Sequence, residues 1–462
     1  MDDSWKKALV IGLGKSGQAA ASALLRRNFQ VACFDSAVNS QLKEEKEKLE
    51  LDGAQVFLGE EKFPELSAFD FIVLSPGVPK KAPVFERVRQ SGVPFFSEVE
   101  LAYQLGLKEK TTIVGVTGTN GKTTVTQLIG EVLREEGKDV LVGGNIGNPL
   151  SEVLERAREG TTLVCELSSF QLETIVDFRC QVAVILNITE DHLDWHPDFA
   201  DYLRAKAKIL KNQTETDSAI FNYDDLAVRN LAKEAKGKVV FYSKFSSEAG
   251  VWSENDWIFT TLNSQNFPKK VFPRKELKLK GQHNLENVLA VVAVAEVLGI
   301  GSDTLGKVLS RFEGLPHRLQ LVGEFKNLSF FDDSKATNPD AVLRALDAFS
   351  QPVVLLLGGL NKGNSFKELA KKVASNSRSV RVVLFGQARE EIGRSFSEEG
   401  VRFESGEKLK DAFERAVALS KPGDVVLLSP GCASFDEFNS YAERGDYFQK
   451  LVRRWAGEKE LN

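Results

Sequence analysis

Short apolar runs that end on glycine or a polar residue recur along the whole chain, with helical patterns between them. The clearest are "KALVIGLG", "FIVLSPG", "TIVGVTG", "TTLVCE", "VAVILNIT", "PVVLLLGG", "VRVVLFG" and "GDVVLLSPG". A strand apolar at every position needs both faces covered, and parallel strands joined by crossover helices provide that cover. The chain is therefore expected to be α/β with mostly parallel sheets. Ligands of such sheets gather beyond the carboxyl ends of the strands. Chemistry is to be sought in the residues that follow each run.

A chain of 462 residues exceeds what one hydrophobic core supports. The restarts of the strand pattern divide it into three expected domains, 1–102, 103–313 and 314–462. A formal net charge of -5 gives no basic footprint for nucleic acid, and no apolar stretch calls for a membrane span. The start, "MDDSWKKALVIGLG", enters a strand pattern at once without the features of a signal peptide, so the cytoplasm is the expected location. Cys33, Cys165, Cys180 and Cys432 are scattered without a C-x-x-C, which argues for buried thiols rather than disulfides or a zinc site.

Two glycine loops carry the chemistry. Gly12 to Gly17 reads G-x-G-x-x-G between a strand and a helix, and the next strand ends at Asp35. That is a dinucleotide-binding fingerprint, and its physics is a backbone-lined diphosphate site at a helix N-terminus. The pattern does not by itself specify nicotinamide. "LSPGVP" at 74–79 ends another strand and is expected to close the same pocket. The second loop, Gly118-Thr119-Asn120-Gly121-Lys122-Thr123-Thr124, ends like a P-loop but has Val116 where the first glycine belongs. Its backbone N–H groups can still cradle phosphates, Lys122 can reach a terminal phosphate oxygen, and Thr123 or Thr124 can ligate Mg²⁺. Glu166, at the tip of a neighbouring strand, is placed to ligate a phosphate-bound metal. "VAVILNITEDHLDWH" puts Asn187, Thr189, Glu190, Asp191 and His192 just past another strand. His196 reads as an ordinary surface or core histidine.

Lys206 is the most informative single residue. In "DFADYLRAKAKIL" the apolar stripe runs Phe199, Tyr202, Leu203, then position 206, then Ile209 and Leu210. A lysine fills the inward slot, whereas Arg204, Lys208 and Lys211 point elsewhere. Burying an ammonium is costly, so Lys206 needs a partner, a shifted pKa, covalent modification or a route by which its stem snorkels outward.

Together G-T-N-G-K-T-T, Glu166, N-I-T-E-D-H, Y-x-x-A-K (Tyr202 to Lys206), "GQHNLENVLA" at 281–290 and "LPHR" at 315–318 resemble the Mur ligases, ATP-dependent amide-forming enzymes of peptidoglycan precursor synthesis. The resemblance spans almost the whole chain in the right order. It implies a Rossmann-like N-terminal domain, a central P-loop ATPase-like domain and a Rossmann-like C-terminal domain. "DDSKATNPDA", "LGGLNKG" and "LSPGCASFDEFNSYAERGDYF" are similar to the D-glutamate-adding branch, which implies UDP-MurNAc-L-Ala and D-glutamate as substrates and a monomer as the working state.

By the same resemblance, Gly118 to Thr124 would bind ATP. Thr123, Thr124 and Glu166 would hold one Mg²⁺, and His192 with a carbamylated Lys206 would hold a second. Asn287 and Arg318 would contact the adenine side and Asp333 the ribose, with His317 close by. Ser16, Asp35, Ser36, Gly77 and Asn145 would contact the uridine diphosphate part. Lys335, Thr337, Lys362, Ser434 and Tyr441 would bind D-glutamate. Two positions depart from the family pattern: Ala37, where some relatives carry a basic residue, and Tyr441, where phenylalanine is common.

Three rival readings remain. An NAD-dependent oxidoreductase accounts for Gly12 to Gly17 and Asp35 but leaves the second loop unused. A non-catalytic P-loop module leaves Glu166, His192 and Lys206 unused. A sister ligase adding another amino acid, or a folylpolyglutamate synthetase sharing the middle domain, lies nearer. The first glycine loop disfavours the folate reading, and "DSKATN" favours D-glutamate.

Overall fold

In the computed structural model, which describes residues 2, 4–59, 63–193, 195–263, 267–279, 281–376 and 379–457, the apolar runs are strands. The chain divides into two compact units. The first comprises 1–188, 195–276 and 286–310, and the second 189–194, 277–285 and 311–462.

The first unit holds two sheets. One is parallel, built from β1 (Lys7–Ile11), β2 (Gln30–Asp35), β3 (Gln55–Leu58), β4 (Phe71–Leu74) and β5 (Phe95–Ser97) in the order 3-2-1-4-5. The order reverses beside β1, and that switch point is where a doubly wound sheet opens a crevice at its carboxyl edge. The other sheet has β6 (Thr111–Thr117), β7 (Val140–Gly144), β8 (Thr161–Glu166), β9 (Val182–Ile185), β10 (Ser218–Asn222), β11 (Lys238–Ser243), β12 (Val251–Glu254), β13 (Trp257–Thr260) and β14 (Lys269–Pro273), in the order 14-13-12-11-10-9-6-8-7. It is parallel through β12 and antiparallel beyond. Within it β6 is flanked by β8 and β9. The loops after these three strands therefore meet at one edge.

The second unit's sheet has β15 (Gln320–Phe325), β16 (Leu328–Asp332), β17 (Val353–Gly358), β18 (Val380–Phe385), β19 (Phe403–Ser405) and β20 (Val425–Gly431), in the order 15-16-20-17-18-19, with β15 alone antiparallel. Helices that position the site are α1 (Lys15–Leu25), α2 (Glu98–Ala102), α3 (Lys122–Glu135), α4 (Leu150–Val153), α5 (Ser169–Glu173), α6 (Phe199–Ala207), α7 (Gln282–Val297) and α8 (Tyr441–Ala456). α1 buries Gly17, Ala19, Ala20, Ala21 and Ala23, a small-residue face that lets the helix lie close to its sheet. A Cβ at Gly17 would collide with the Gly12 carbonyl. The four cysteines are buried and unpaired. Among the described residues no helix is long and apolar enough to cross a membrane.

Two buried carboxyls on α2 join the first sheet to the second. Glu100 accepts the backbone N–H groups of Val176, Asp177 and Phe178 at 2.8, 3.0 and 2.8 Å. Glu98 Oε1 accepts the N–H of Ser151 on α4 at 2.5 Å, whereas Glu98 Oε2 and Ser151 Oγ are buried without a hydrogen-bond partner. Burial pushes Glu98 up to about 7, helped by the nearby Glu152 charge and opposed by Ser151. A proton on the carboxyl removes the charge that burial disfavours. Between pH 4.5 and 7 the unfolded chain has shed this proton and the folded chain keeps it, so Glu98's contribution to stability falls as pH rises through that window. A Glu98→Gln variant escapes the loss. Chemical denaturation at pH 5 and 8 is expected to show wild type losing about 2 kcal/mol more than the variant.

Candidate functional site

The loop after β6 is pinned from three sides. Gly118 and Gly121 adopt φ of 149 and 87°, conformations that favour glycine, and Gly121 opens α3. Asn187, just past β9, accepts from Asn120 N at 2.8 Å and donates back to Asn120 O at 3.0 Å, while its own carbonyl takes Thr119 N at 2.7 Å. Lys122 Nζ lies 2.9 Å from Gly118 O and 2.8 Å from Thr119 O. Lys206 Nζ reaches the same Gly118 carbonyl at 2.7 Å and sits 4.6 Å from the centre of the Tyr202 ring. Lys206 is 1% exposed, as its inward slot on α6 requires. Two ammonium groups on one oxygen are no further apart than the sum of those two bonds, close enough for strong mutual repulsion. Triphosphate oxygens, or conversion of one amine to an anion, would relieve it.

Glu166 ends β8 beside this loop. Its Oε1 accepts from Asn145 Nδ2 at 2.9 Å, and its Oε2 is buried with no partner. An orphaned carboxylate oxygen at the strand tip suits a hard divalent cation. Among the described residues no three His, Cys, Asp or Glu side chains cluster as a metal site. A cation here would thus draw ligands from phosphates and hydroxyls as well as from Glu166.

A cleft of about 410 Å³ opens where the first sheet switches order. Ser16, Asp35, Ser36, Gly77 and Asn145 all line it. The Ser75–Pro79 stretch closes one side, as the sequence suggested. Both oxygens of Asp35 already accept backbone N–H groups, from Leu13 at 2.7 Å and Ala37 at 2.9 Å. This carboxylate shapes the glycine loop and the following turn, a duty that competes with the ribose recognition an NAD fingerprint assigns to it. Lys15 Nζ donates to Gly147 O at 2.6 Å, tying the glycine loop to the segment that carries Asn145.

The second unit holds the other sequence candidates. Asp333 is buried; Ser429 Oγ donates to it at 2.8 Å and Leu319 N at 3.2 Å, and burial pushes it up to about 7. His317 Nδ1 lies 2.7 Å from Asp332, which raises the imidazole above its ordinary value. Lys335 Nζ sits 3.8 Å from the centre of the Tyr441 ring, and Lys362 Nζ lies 5.6 Å from that of Phe435. Ser434 is buried, while Thr337 and Arg318 are partly exposed. His192 has φ of 56°, and the preceding Asp191 is held by Asn338 Nδ2 at 2.9 Å.

Sequence reasoning missed Arg444. It is fully buried on α8 and donates to Ser334 Oγ, Ser334 O, Cys432 O and Ala433 O at 2.8 to 3.1 Å. Burial pulls it down to about 10. It thereby holds together the segments that lead into Lys335 and Ser434. The signal was present: Arg444, Phe448, Leu451 and Val452 follow the same inward period that exposed Lys206.

Two glycine loops on parallel sheets, a strand-tip carboxylate, a buried lysine and a separate cleft are the frame of an α/β enzyme. Three family models match the chain in order: "Mur ligase MurD-like, N-terminal domain" over 6–97, "Mur ligase middle domain" over 116–295, and "Mur ligase, glutamate ligase domain" over 317–432. Two curated relatives carry the name UDP-N-acetylmuramoylalanine--D-glutamate ligase. That from Pelotomaculum thermopropionicum is 42% identical and aligns over 98% of both chains, and that from Koribacter versatilis is 39% identical over 100% of both. In fold, the chain is similar to MurF from Acinetobacter baumannii (TM-score 0.63, 17% identity, 97% of this chain and 93% of that one) and to UDP-N-acetylmuramate-alanine ligase from Thermotoga maritima (TM-score 0.59, 21% identity, 98% and 100%). The chain belongs to the Mur ligase family.

A Cβ at Gly121 would collide with Asn287 Oδ1, in a backbone conformation that side chains rarely adopt. Gly121→Ala is expected to weaken binding of a non-hydrolysable ATP analogue about tenfold or more by calorimetry, a change of about 1.4 kcal/mol or above. The circular dichroism spectrum should be unchanged.

Proposed function

We propose that this enzyme joins D-glutamate to UDP-MurNAc-L-Ala with cleavage of ATP to ADP and phosphate. The observation that carries the proposal is the pairing, within one unit, of a nucleotide-sized cleft and a phosphate loop, in a chain whose relatives at about 40% identity are D-glutamate ligases along their full length. The domains are proposed as 1–102 for the uridine nucleotide, 103–313 for ATP and 314–462 for the amino acid. The work proceeds in cytosol without nucleic acid or membrane, and a monomer suffices.

A carboxylate is a poor electrophile, so the terminal alanine carboxylate first takes the γ-phosphoryl group of ATP to become an acyl phosphate. The amine of D-glutamate attacks that carbonyl, and phosphate leaves from the tetrahedral intermediate. Phosphoryl transfer between anions is governed by positioning and charge neutralisation. Lys122 and the loop from Gly118 to Thr124 would hold the phosphates, while Thr123, Thr124 and Glu166 would hold a Mg²⁺. When bound, two Mg²⁺ ions neutralise phosphate charge. A carbamate on Lys206 would turn the second ammonium at Gly118 O into an anion and, with His192, would hold the second metal. Asn287, Arg318 and Asp333 hold the nucleoside of ATP. Lys335, Thr337, Lys362, Ser434 and Tyr441 surround the amino acid, whose two carboxylates call for cationic and hydroxyl donors. Ser16, Asp35, Ser36, Gly77 and Asn145 hold the uridine diphosphate.

Phosphate release is expected only when UDP-MurNAc-L-Ala and D-glutamate are both present with ATP. Comparable turnover with L-alanine, L-lysine or meso-diaminopimelate would reassign the amino acid. Lys206→Ala should lose activity by about a thousandfold, in keeping with removal of one charged group from such a site. A short carboxylic acid added to the assay should restore part of it. Absence of that rescue counts against the carbamate.

A further inference from the structure

Beside the phosphate loop lies a buried chain of polar groups that the reaction does not use. Ser169, at the start of α5, places its Oγ 2.9 Å from His196 Nε2, and His196 Nδ1 lies 2.7 Å from Asp201 Oδ2 on α6. The sequence Ser, His, Asp is that of an activated nucleophile, but His196 is 0% and Ser169 2% exposed, so no substrate reaches the hydroxyl. Burial holds the imidazole below its ordinary value, hence neutral. A carboxylate only accepts, so Nδ1 donates to Asp201 and Nε2 accepts the Ser169 proton. The direction of both bonds is fixed, and the group acts as a brace.

The brace has a third anchor. Lys80 follows directly on the Ser75–Pro79 stretch that lines the cleft, and its Nζ lies 2.9 Å from Asp201 Oδ2 and 2.9 Å from Glu173 Oε1. The three side chains are only 16 to 20% exposed, which spares the contacts much of the screening that weakens surface pairs. Trp195 adds a parallel strut, its indole N–H donating to Val78 O at 3.3 Å and its ring lying 5.3 Å beneath Lys80 Nζ. On the far side, Tyr202 neighbours Asp201 on α6, packs edge-on against His196 at 5.2 Å, and places its hydroxyl 3.2 Å from Thr119 Oγ1 in the phosphate loop. One turn further along α6 is Lys206. Ser169 stands three residues after Glu166.

We propose that Lys80, Asp201, His196 and Ser169 are positioning residues that link the filling of the nucleotide cleft to the setting of the phosphate loop. They do so by fixing α5 and α6 relative to the Val78–Lys80 segment. A uridine diphosphate held against that segment orders it, and through Lys80 the two helices that follow Glu166 and carry Lys206. The inference rests on the cleft being the uridine nucleotide site. Such a linkage is reciprocal: each nucleotide tightens the other.

The test is calorimetry on the full chain, with UDP as the cleft probe and a non-hydrolysable ATP analogue with Mg²⁺ as the other. In wild type, saturating UDP is expected to tighten the analogue about fivefold or more, the lower end of ordinary coupling between sites. Lys80→Met should cut this factor to about twofold or less while each nucleotide alone binds within about twofold of wild type, and Lys80→Arg should restore it. Asp201→Asn, nearly identical in shape, should behave as Lys80→Met does, which guards against a folding defect in either variant. Full coupling in both variants, or none in wild type, overturns the proposal and leaves the assigned reaction standing. Failure of UDP to bind wild type at all overturns the cleft assignment and this inference together.

Discussion

Two cations meet at the carbonyl of Gly118, and much of the first unit can be understood as the means of holding them there. One comes from the start of α3, fixed by the left-handed glycine before it. The other comes from the inward face of α6. An anion placed between them would offset their mutual repulsion. The orphaned oxygen of Glu166 and the nearby threonines suit phosphate and its attendant metal. The site thus gathers positive charge where an enzyme of anionic substrates would use it.

The topology that creates this site also creates the cleft. In both sheets of the first unit the functional loops follow adjacent parallel strands, β1 and β4 in one and β9, β6 and β8 in the other. Parallel order sends all these loops to the carboxyl edge. Asn145 belongs to both places, lining the cleft while holding Glu166 with its amide. Gln171, in the capping box that starts α5, lines the cleft as well. The cleft and the strand tip that carries Glu166 therefore share a wall.

Much of this was legible in the sequence, for physical reasons that differ from residue to residue. Strands buried on both faces announce themselves as continuous apolar runs, so the sheets could be read. Lys206 was legible because a helix has a period, and a cation in an apolar stripe breaks it. The five cleft residues were legible through fixed loop spacings and through the family resemblance. Three kinds of feature were not. The strands β12 to β14 are short and half-buried, and their pattern is weak. Arg444 obeyed the same rule as Lys206 but sat in a stretch read for its polar motif. Glu98, Lys80 and His196 depend on partners 53, 121 and 27 residues away, pairings that only the fold creates.

The burial of all four cysteines has a consequence for handling the protein. Desolvation pushes the thiols of Cys33 and Cys432 up to about 12, and those of Cys165 and Cys180 upward as well. Thiolate, the reactive form, is almost absent from the native state. Alkylating reagents and mild oxidants can therefore attack only molecules that have opened. The rate of their uptake becomes a clock for the opening of each sheet, with Cys33 reporting on the first, Cys165 and Cys180 on the second and Cys432 on the third.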